Sequence, residues 1–210
     1  MRYLTFALGK GRLASKTLEM FEKIGITCEE MKDKGSRKLI FVNEELKLKF
    51  FLAKATDVPT YVEYGAADIG IVGKDILTES GADVYELLDT GLGRCRMCVA
   101  GRQDFADDPG RTLRVATKFV NIAKAYYAAQ GRDIEIIKLN GSIELAPLLG
   151  LSDVIVDIVE TGTTLRENNL KVITEFMPIS ARFIANRASY QFKRQEIDLL
   201  LEKLAEVTQG

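Results

Sequence analysis

An apolar run that ends in a turn of small hydroxyl residues constrains the fold more than any other part of this 210-residue chain. Residues 154–159 (VIVDIV) contain five β-branched residues in six positions, which is typical of a short buried strand of a parallel sheet. Residues 161–164 (TGTT) then break the strand, and Thr163 or Thr164 is placed to cap a following helix. The sequence therefore predicts an α/β fold with a strand, a turn and a helix start here.

Two carboxylates accompany this turn. Asp157 lies inside the predicted strand and Glu160 closes it, although a buried carboxylate is costly unless a cation or hydrogen-bond donors meet it. Gly162 lets the backbone approach a ligand, and the N–H groups at a helix start favour an anion. We interpret the stretch as a cradle for a phosphate on a sugar, with the carboxylates near the ribose hydroxyls. An ordinary strand-to-helix turn with a satisfied Asp remains the structural alternative.

Charge and the absence of histidine narrow the possible functions. The 29 basic and 30 acidic residues are spread along the chain and give a net charge of −1, which argues against an extended nucleic-acid surface. With no histidine in the chain, Ser-His, Cys-His and His-metal mechanisms are excluded. Any catalysis must rest on carboxylates, arginine, lysine, hydroxyls, backbone amides or a bound metal.

The chain carries no sequence signal for a membrane or for secretion. No stretch approaches the ~18 apolar residues of a membrane span, and the apolar run at residues 3–8 is too soon interrupted by Lys10 and Arg12 for a signal segment. The three cysteines are an odd number, which suits a reducing compartment. We expect a cytoplasmic protein in which Cys95 and Cys98 are buried strand residues rather than a zinc or redox pair.

Strand-like and helix-like patterns alternate along the chain. Strands are predicted at residues 3–8, 38–42, 46–53, 68–72, 113–117, 134–139, 154–159, 170–178 and 181–185, with one more inside 90–101. Helices are predicted at residues 13–24, 58–64, 73–80, 118–130 and 143–149, and a last helix is capped by Ser189. A composition shift near Asp89 favours two α/β lobes. We assign residues 1–89 with 174–210 to lobe I and residues 90–173 to lobe II, with the ligand in the cleft between them.

Three further segments have the composition of anion sites. Residues 9–12 (GKGR) follow the first strand and open a helix, so they offer amides and two cations without the spacing of a P-loop. Residues 36–38 (SRK) precede one strand and Lys54 ends the next, where an arginine can neutralise a pyrophosphate. Residues 140–142 (NGS) precede another helix. A surface loop, a solvated strand end and an ordinary N-cap remain the respective alternatives.

Longer motifs give these segments a common interpretation. The chain resembles the short-form catalytic subunit of the ATP phosphoribosyltransferase family, the first enzyme of histidine biosynthesis, and the resemblance covers nearly its whole length. The matching segments are residues 7–13 (ALGKGRL), 36–41 (SRKLIF), 54–75 (KATDVPTYVEYGAADIGIVGKD), 84–89 (VYELLD), 116–126 (ATKFVNIAKAY) and 138–168 (KLNGSIELAPLLGLSDVIVDIVETGTTLREN).

The resemblance implies a fold and a reaction. The fold is two-lobed and similar to type II periplasmic binding proteins, with the active site in the cleft between the lobes. The reaction is the Mg²⁺-dependent transfer of phosphoribosyl from 5-phosphoribosyl 1-pyrophosphate to N1 of ATP, which releases pyrophosphate. The enzyme must therefore stabilise a sugar cation and the charge of the leaving group. N1 already carries a lone pair, so the missing histidines do not count against this reaction.

The resemblance also implies residue roles. Catalytic roles fall to Arg12, Arg37, Asp157 and Glu160. The residues expected to bind 5-phosphoribosyl 1-pyrophosphate are Asp157, Glu160, Thr161, Gly162, Thr163 and Thr164. Those expected to bind ATP or pyrophosphate are Lys10, Gly11, Arg12, Arg37, Lys54, Asp75 and Ser142. Mg²⁺ is expected to be held mainly by substrate phosphates.

Partners follow from the short form. The chain ends after its last amphipathic helix, whereas the family's long form continues into a regulatory domain. The resemblance therefore implies a separate regulatory subunit related to histidyl-tRNA synthetase, and homodimers of the catalytic subunit, with no nucleic-acid or membrane partner. Two alternatives stay open: a two-lobed cytoplasmic sensor that only binds a phosphorylated ligand, and phosphoribosyl transfer to another base.

Overall fold

The chain builds one structural unit, leaves it to build a second, and then returns to complete the first. Unit 1 consists of Met1–Gly93 and Ser180–Gly210, and unit 2 of Arg94–Ile179. The computed structural model describes residues 3–32 and 38–208. The division at 93/94 and 179/180 differs from the predicted 89/90 and 173/174, because residues 170–179 form one continuous strand of unit 2 that the predicted boundary would cut.

The elements alternate along the described chain as follows. The first part of unit 1 contains β1 (Leu4–Gly9), α1 (Arg12–Lys23), a 3-10 turn (Glu29–Lys32), β2 (Ile40–Asn43), β3 (Leu48–Ala53), a 3-10 turn (Ala55–Asp57), α2 (Val58–Glu63), β4 (Ile69–Gly73), α3 (Lys74–Ser80) and β5 (Tyr85–Asp89). Unit 2 contains β6 (Cys95–Arg102), β7 (Leu113–Thr117), α4 (Val120–Ala128), β8 (Ile134–Lys138), α5 (Leu145–Leu148), β9 (Val154–Val159), α6 (Thr163–Glu167) and β10 (Leu170–Ile179). Unit 1 is completed by β11 (Ala181–Ala185), α7 (Arg187–Phe192) and α8 (Arg194–Thr208).

Unit 1 is built on a six-stranded sheet of order β2-β3-β1-β4-β11-β5. Strand β1 runs parallel to β3 and β4, whereas β2 and β11 run against their neighbours. Because β1, β3 and β4 are parallel, the loops that follow Gly9, Ala53 and Gly73 lie at one edge of this sheet. Of the predicted ATP and pyrophosphate residues, Lys10, Gly11, Arg12, Lys54 and Asp75 therefore lie at one edge of this sheet.

Unit 2 is built on a five-stranded sheet of order β10-β6-β9-β7-β8. Strand β9 is parallel to β7 and antiparallel to β6, so the predicted wholly parallel surroundings of residues 154–159 are wrong on one side. Composition cannot separate the two cases, because a strand covered on both faces is apolar whichever way its neighbour runs.

The packing of β9 explains its apolar run. Val154 and Val156 contribute to one buried cluster and Ile155 and Val159 to another, as expected when successive side chains point to opposite faces of a sheet. In unit 1 the core centres on Phe6, whose ring stacks on Phe50 at 4.9 Å between centroids. Residues of α8 complete that core; they are Ile197, Leu200 and Leu204.

Two capping predictions are wrong here, and one strand was not predicted. Thr163 and Thr164 do not cap α6; Gly162 occupies the N-cap position in a left-handed conformation, and Thr163 is the first helical residue. Ser189 is not a helix cap; it lies inside α7, whose N-cap Asn186 accepts a hydrogen bond from the Ser189 N–H. The strand β5 was not predicted at all. No helix among the described residues is long and apolar enough to cross a membrane.

Candidate functional site

The carboxylate of Asp157 is met by a lysine from the neighbouring strand. Asp157 lies near the carboxyl end of β9, and its side chain is 19% exposed. Lys118, directly after β7, places Nζ 3.9 Å from Asp157 Oδ1, and the backbone N–H of Ile158 donates to the same oxygen. Because Thr117 pairs with Val156, the next residue of each strand comes close to the other. Lys118 thus places a positive charge beside the partly buried Asp157 carboxylate.

The turn at residues 160–164 is closed by an arginine of the helix that follows it. Arg166 Nη1 donates to the Thr161 carbonyl at 2.9 Å, and Nη2 donates to Thr163 Oγ1 at 3.1 Å. Thr161 Oγ1 and Thr163 Oγ1 share a hydrogen bond of 3.0 Å. Gly162 has φ 73°, which favours glycine. The turn is therefore preformed, and the residues at its two ends, Glu160 and Thr164, are exposed.

Two residues that the sequence analysis did not single out hold this region together. The buried Thr117 hydroxyl donates to the Val156 carbonyl at 2.7 Å and accepts from the Phe119 N–H at 2.8 Å. Arg96 Nη1 donates to the Glu160 carbonyl at 3.1 Å. The bonds to the Val156 and Glu160 carbonyls join segments that are distant in sequence, so local patterns gave no signal for them. Both fix the end of β9 to its neighbours.

Ser142 lies in the loop after β8, which ends at the same edge of the sheet as β7 and β9 because the three strands are parallel. It is exposed and has φ 47°, an uncommon conformation for a residue with a side chain. It is not the cap of a helix, since α5 begins at Leu145 and Glu144 is its N-cap. The N-cap interpretation of Ser142 is wrong, and its binding role stays a prediction.

In unit 1 the loop at residues 9–12 is tied to the end of β3. The Lys10 N–H donates to the Ala53 carbonyl at 2.8 Å, which brings the exposed Lys10 and Lys54 to the same edge of the sheet. Gly11, the N-cap of α1, has φ 111° and ψ −161°, a conformation essentially restricted to glycine. The structure thus groups Lys10, Gly11, Arg12 and Lys54.

Asp75 lies at the same edge, in the first turn of α3. It is buried, with 8% of its surface exposed. A Cβ on Gly73 would lie 2.2 Å from Asp75 Oδ1, so this carboxylate can fold back over the strand end only because residue 73 is glycine. Of the remaining predicted residues, Arg37 lies outside the described residues.

The cysteines near the candidate site do not have the environment of nucleophiles. Cys98 pairs with Asp157 across the ladder of β6 and β9, and burial raises the pKa of its thiol. Cys95 is half-buried, and neither Cys95 nor Cys98 forms a disulfide. These features agree with structural strand cysteines.

Among the described residues, neither a metal cluster nor the cavity found in unit 1 marks the predicted site. Within residues 3–32 and 38–208, no group of three or more acidic or cysteine side chains is placed to hold a metal ion. A cavity of about 570 Å³ lies in unit 1. Its lining includes Leu4 and Leu48, at the opposite ends of β1 and β3 from the predicted residues, together with Phe192 and Leu200.

Comparison with known proteins agrees on one family. A family model described as ATP phosphoribosyltransferase matches residues 54–206. A protein named ATP phosphoribosyltransferase from Lachnoclostridium phytofermentans is 60% identical over 99% of this chain and 98% of its own length. A chain of the ATP phosphoribosyl transferase (HisG:HisZ) complex from Thermotoga maritima is 37% identical, with a TM-score of 0.84 and 98% of both chains covered. The periplasmic aliphatic sulphonate binding protein SsuA from Escherichia coli is 13% identical with a TM-score of 0.61, over 99% of this chain and 69% of its own, and shares the fold alone.

Proposed function

The chain belongs to the ATP phosphoribosyltransferase family, and from that premise we propose how its residues share the family's reaction. The enzyme is a glycosyltransferase of histidine biosynthesis: it transfers phosphoribosyl from 5-phosphoribosyl 1-pyrophosphate to N1 of ATP and releases pyrophosphate. The predicted two-lobed fold, of the periplasmic-binding-protein kind, is confirmed. The location of the active site in a cleft between the lobes stays a prediction.

The turn at residues 161–164 binds the 5-phosphate of the sugar substrate. Its support is a preformed loop with exposed Thr hydroxyls, backbone N–H groups at the start of α6, and the Arg166 guanidinium within hydrogen-bond distance of Thr163. Gly162 lets the phosphate approach the backbone without a Cβ in the way.

Asp157 and Glu160 hold the ribose hydroxyls and stabilise positive charge as the glycosidic bond to pyrophosphate breaks. The single observation that carries this proposal is that both carboxylates and the Thr/Gly turn occur together at the carboxyl end of β9, inside the segment that matches the family. Fixed negative charge beside the anomeric carbon is worth more in the transition state than in the ground state, because the sugar is cationic only there.

The loops of unit 1 bind the anionic groups of the substrates. Lys10 and Arg12, with Lys54 and the N–H of Gly11, offer cations and a backbone donor to ATP or to the leaving pyrophosphate. Asp75, Ser142 and the undescribed Arg37 keep the binding roles that the family resemblance implies.

Mg²⁺ enters this proposal as part of the substrate. The described residues offer no cluster of three or more metal ligands, whereas the phosphate oxygens of both substrates are ligands that Mg²⁺ favours. The ion then neutralises charge on those oxygens when bound. The protein's part is to orient the phosphate groups.

A regulatory partner is proposed from the relative that was solved as a complex. The Thermotoga maritima chain belongs to a HisG:HisZ assembly, and we propose that this chain likewise forms a hetero-oligomer with a regulatory subunit resembling histidyl-tRNA synthetase. Pairing of the catalytic subunits as homodimers, and a cytoplasmic location, stay predictions.

Pyrophosphate release tests the proposed function. Purified protein is mixed with ATP, 5-phosphoribosyl 1-pyrophosphate and Mg²⁺, with and without the regulatory subunit, and we expect pyrophosphate together with a phosphoribosyl-ATP product. Other purine and pyrimidine nucleotides replace ATP in parallel and should release none, which separates transfer to another base. Binding of the sugar substrate without pyrophosphate release under either condition would identify a sensor.

A further inference from the structure

One arginine of unit 2 connects three neighbouring strands beside the predicted catalytic carboxylates. Arg96 lies at the start of β6, between β9 and β10 in the sheet. Its Nη1 donates to the Glu160 carbonyl at 3.1 Å, and its Nε donates to Glu175 Oε1 on β10 at 2.6 Å. The guanidinium thus links the residue after β9 to a carboxylate two strands away.

The bond to Glu160 continues the ladder beyond its last pair. The pairing of β9 with β6 ends where Val159 faces Arg96, and Glu160 is the next residue of the chain. A residue just past a strand end is free to move unless another group binds its backbone. Arg96 binds the Glu160 carbonyl, which restricts the direction in which the Glu160 side chain leaves the backbone.

Glu175 in turn orients Arg96. The pairing of β10 with β6 shifts register between Glu175 and Met177, and such irregularities re-aim side chains and are frequent beside active sites. Glu175 faces Cys98 in the ladder, yet its carboxylate reaches the Arg96 guanidinium. A planar guanidinium can serve two acceptors in different directions, which a lysine ammonium does with less defined geometry.

We propose that Arg96 is a positioning residue for phosphoribosyl transfer, acting through the Glu160 backbone and itself oriented by Glu175. The inference rests on the proposed function, in which the Glu160 carboxylate stabilises the sugar cation. Displacing a reacting group by about 1 Å costs roughly 10²-fold in rate. Loss of the Arg96–Glu160 hydrogen bond should therefore lower kcat strongly and weaken substrate binding only slightly.

The stability of the fold should not depend on this pair. The side chains of Arg96 and Glu175 are 35% and 53% exposed, and ion pairs this accessible to solvent contribute little to stability. Replacing Arg96 should therefore give a folded protein in which a kinetic effect can be measured.

The experiment measures kcat and KM of variants in the complete complex with the regulatory subunit. Arg96→Ala should lower kcat by about 10- to 100-fold while KM for 5-phosphoribosyl 1-pyrophosphate changes less than about threefold. Arg96→Lys should fall between Arg96→Ala and the wild type, and Glu175→Gln should lower kcat in the same direction. Arg102→Ala is the matched control, because Arg102 ends the same strand, is exposed and pairs with Asp104; its kcat should equal that of the wild type.

A double-mutant cycle shows whether Arg96 acts through Glu160. In the Glu160→Gln background, Arg96→Ala should lower kcat by a much smaller factor than in the wild type, because the carboxylate charge that Arg96 positions is already absent. The inference would be overturned if Arg96→Ala lowered kcat by the same factor in both backgrounds, changed KM alone, or left kcat unchanged. If Arg96→Ala fails to fold, Glu175→Gln decides by the same criteria. Pyrophosphate release by the wild type with no Arg96 effect rejects this inference alone, whereas no release by the wild type rejects the proposed function and this inference with it.

Discussion

At Gly11 the backbone conformation, and not crowding around the residue, excludes a side chain. A Cβ at this position would meet no atom within 4 Å, yet φ 111° and ψ −161° are closed to other residues. The bond from the neighbouring Lys10 N–H to Ala53 holds the loop in this shape. The shape in turn presents Lys10 and Arg12 at the edge of the sheet.

We predict that Gly11→Ala lowers the free energy of unfolding by about 1–3 kcal/mol, the cost of a side chain in such a conformation. Urea unfolding followed by circular dichroism measures it. Gly141→Ala is the matched control, because Gly141 is exposed, lacks a positive φ and has open space around its Cβ; it should change stability by less than about 0.5 kcal/mol. Equal stability of the two variants would contradict the backbone argument.

For single residues, the sequence predicted the chemical type of a needed partner better than which residue supplies it. A cation near Asp157 was expected on the cost of burying a carboxylate, but nothing local pointed to Lys118, which precedes it by 39 positions. Arg96 and Thr117 were not predicted for the same reason, since their partners are brought close only by strand pairing. The roles of the predicted site residues themselves stay predictions.

Among the elements, the strands buried on both faces were the easiest to predict. Residues 113–117 and 154–159 match β7 and β9 at both ends, because both segments are short and rich in buried apolar residues. Strand β5 (YELLD) was not predicted, because it is only partly buried and carries Glu86 and Asp89. Both side chains pair with Arg182 of β11, which lies far away in sequence.

Strand β9 is also fixed at its first end, by Asp153. This carboxylate accepts hydrogen bonds from the Arg114 backbone N–H at 2.9 Å and from the Arg114 and Arg111 guanidinium groups. Burial alone would raise the pKa of Asp153, but the side-chain and backbone bonds from Arg114, with those from Arg111, lower it to about 2. The ionised carboxylate therefore ties β9 to β7 and to the loop before it.

We predict that Asp153→Asn destabilises the protein at neutral pH and that the difference from the wild type shrinks as the pH falls towards 2. The folded pKa is depressed, so the stabilisation is complete above the ordinary carboxyl pKa of about 4 and is lost as the pH falls through about 2. The shift corresponds to at most about 2 kcal/mol. Urea unfolding of both proteins between pH 7 and pH 2.5 measures it.

Asp104→Asn is the control for this element, because Asp104 forms an exposed pair with Arg102. Its stability should follow the wild type across the pH range. A difference between Asp153→Asn and the wild type that stays constant from pH 7 to pH 2.5 would show that lost packing, and not ionisation, is responsible.

At the scale of the whole molecule, the alternation of elements and the composition shift near Asp89 predicted two lobes, and the family resemblance implied their periplasmic-binding-protein type. The predicted lobe boundary at 173/174 differs from the division at 179/180, because it assigned the last residues of β10 to lobe I. In the structure β10 pairs with β6 from Leu170 to Ile179, so the chain leaves unit 2 only where that strand ends. Long-range pairing of this kind has no local signature.

We predict that the two units differ in whether a continuous piece of chain can fold alone. Residues 94–179 contain all five strands of their sheet and should unfold cooperatively in urea. Residues 1–93 should not, because they lack β11, which lies between β4 and β5, and the core residues of α8.

A fusion of residues 1–93 to 180–210 is the control. Strands β5 and β11 are antiparallel neighbours, and the Thr90 N–H donates to the Ala181 carbonyl, so a short loop can join them. The fusion should recover cooperative unfolding. If residues 1–93 alone unfold as cooperatively as the fusion, the proposed dependence on β11 and α8 is wrong.

The return of the chain to unit 1 sets an order on its biosynthesis. As the protein emerges from the ribosome, its first 93 residues must wait for the whole of residues 94–179 before β11 can enter the sheet between β4 and β5. At bacterial rates of translation that wait is on the order of ten seconds. During it the nascent chain exposes the edges of β4 and β5 and the apolar surface that α8 later covers, so the half that emerges first is completed last and is the half most in need of a chaperone.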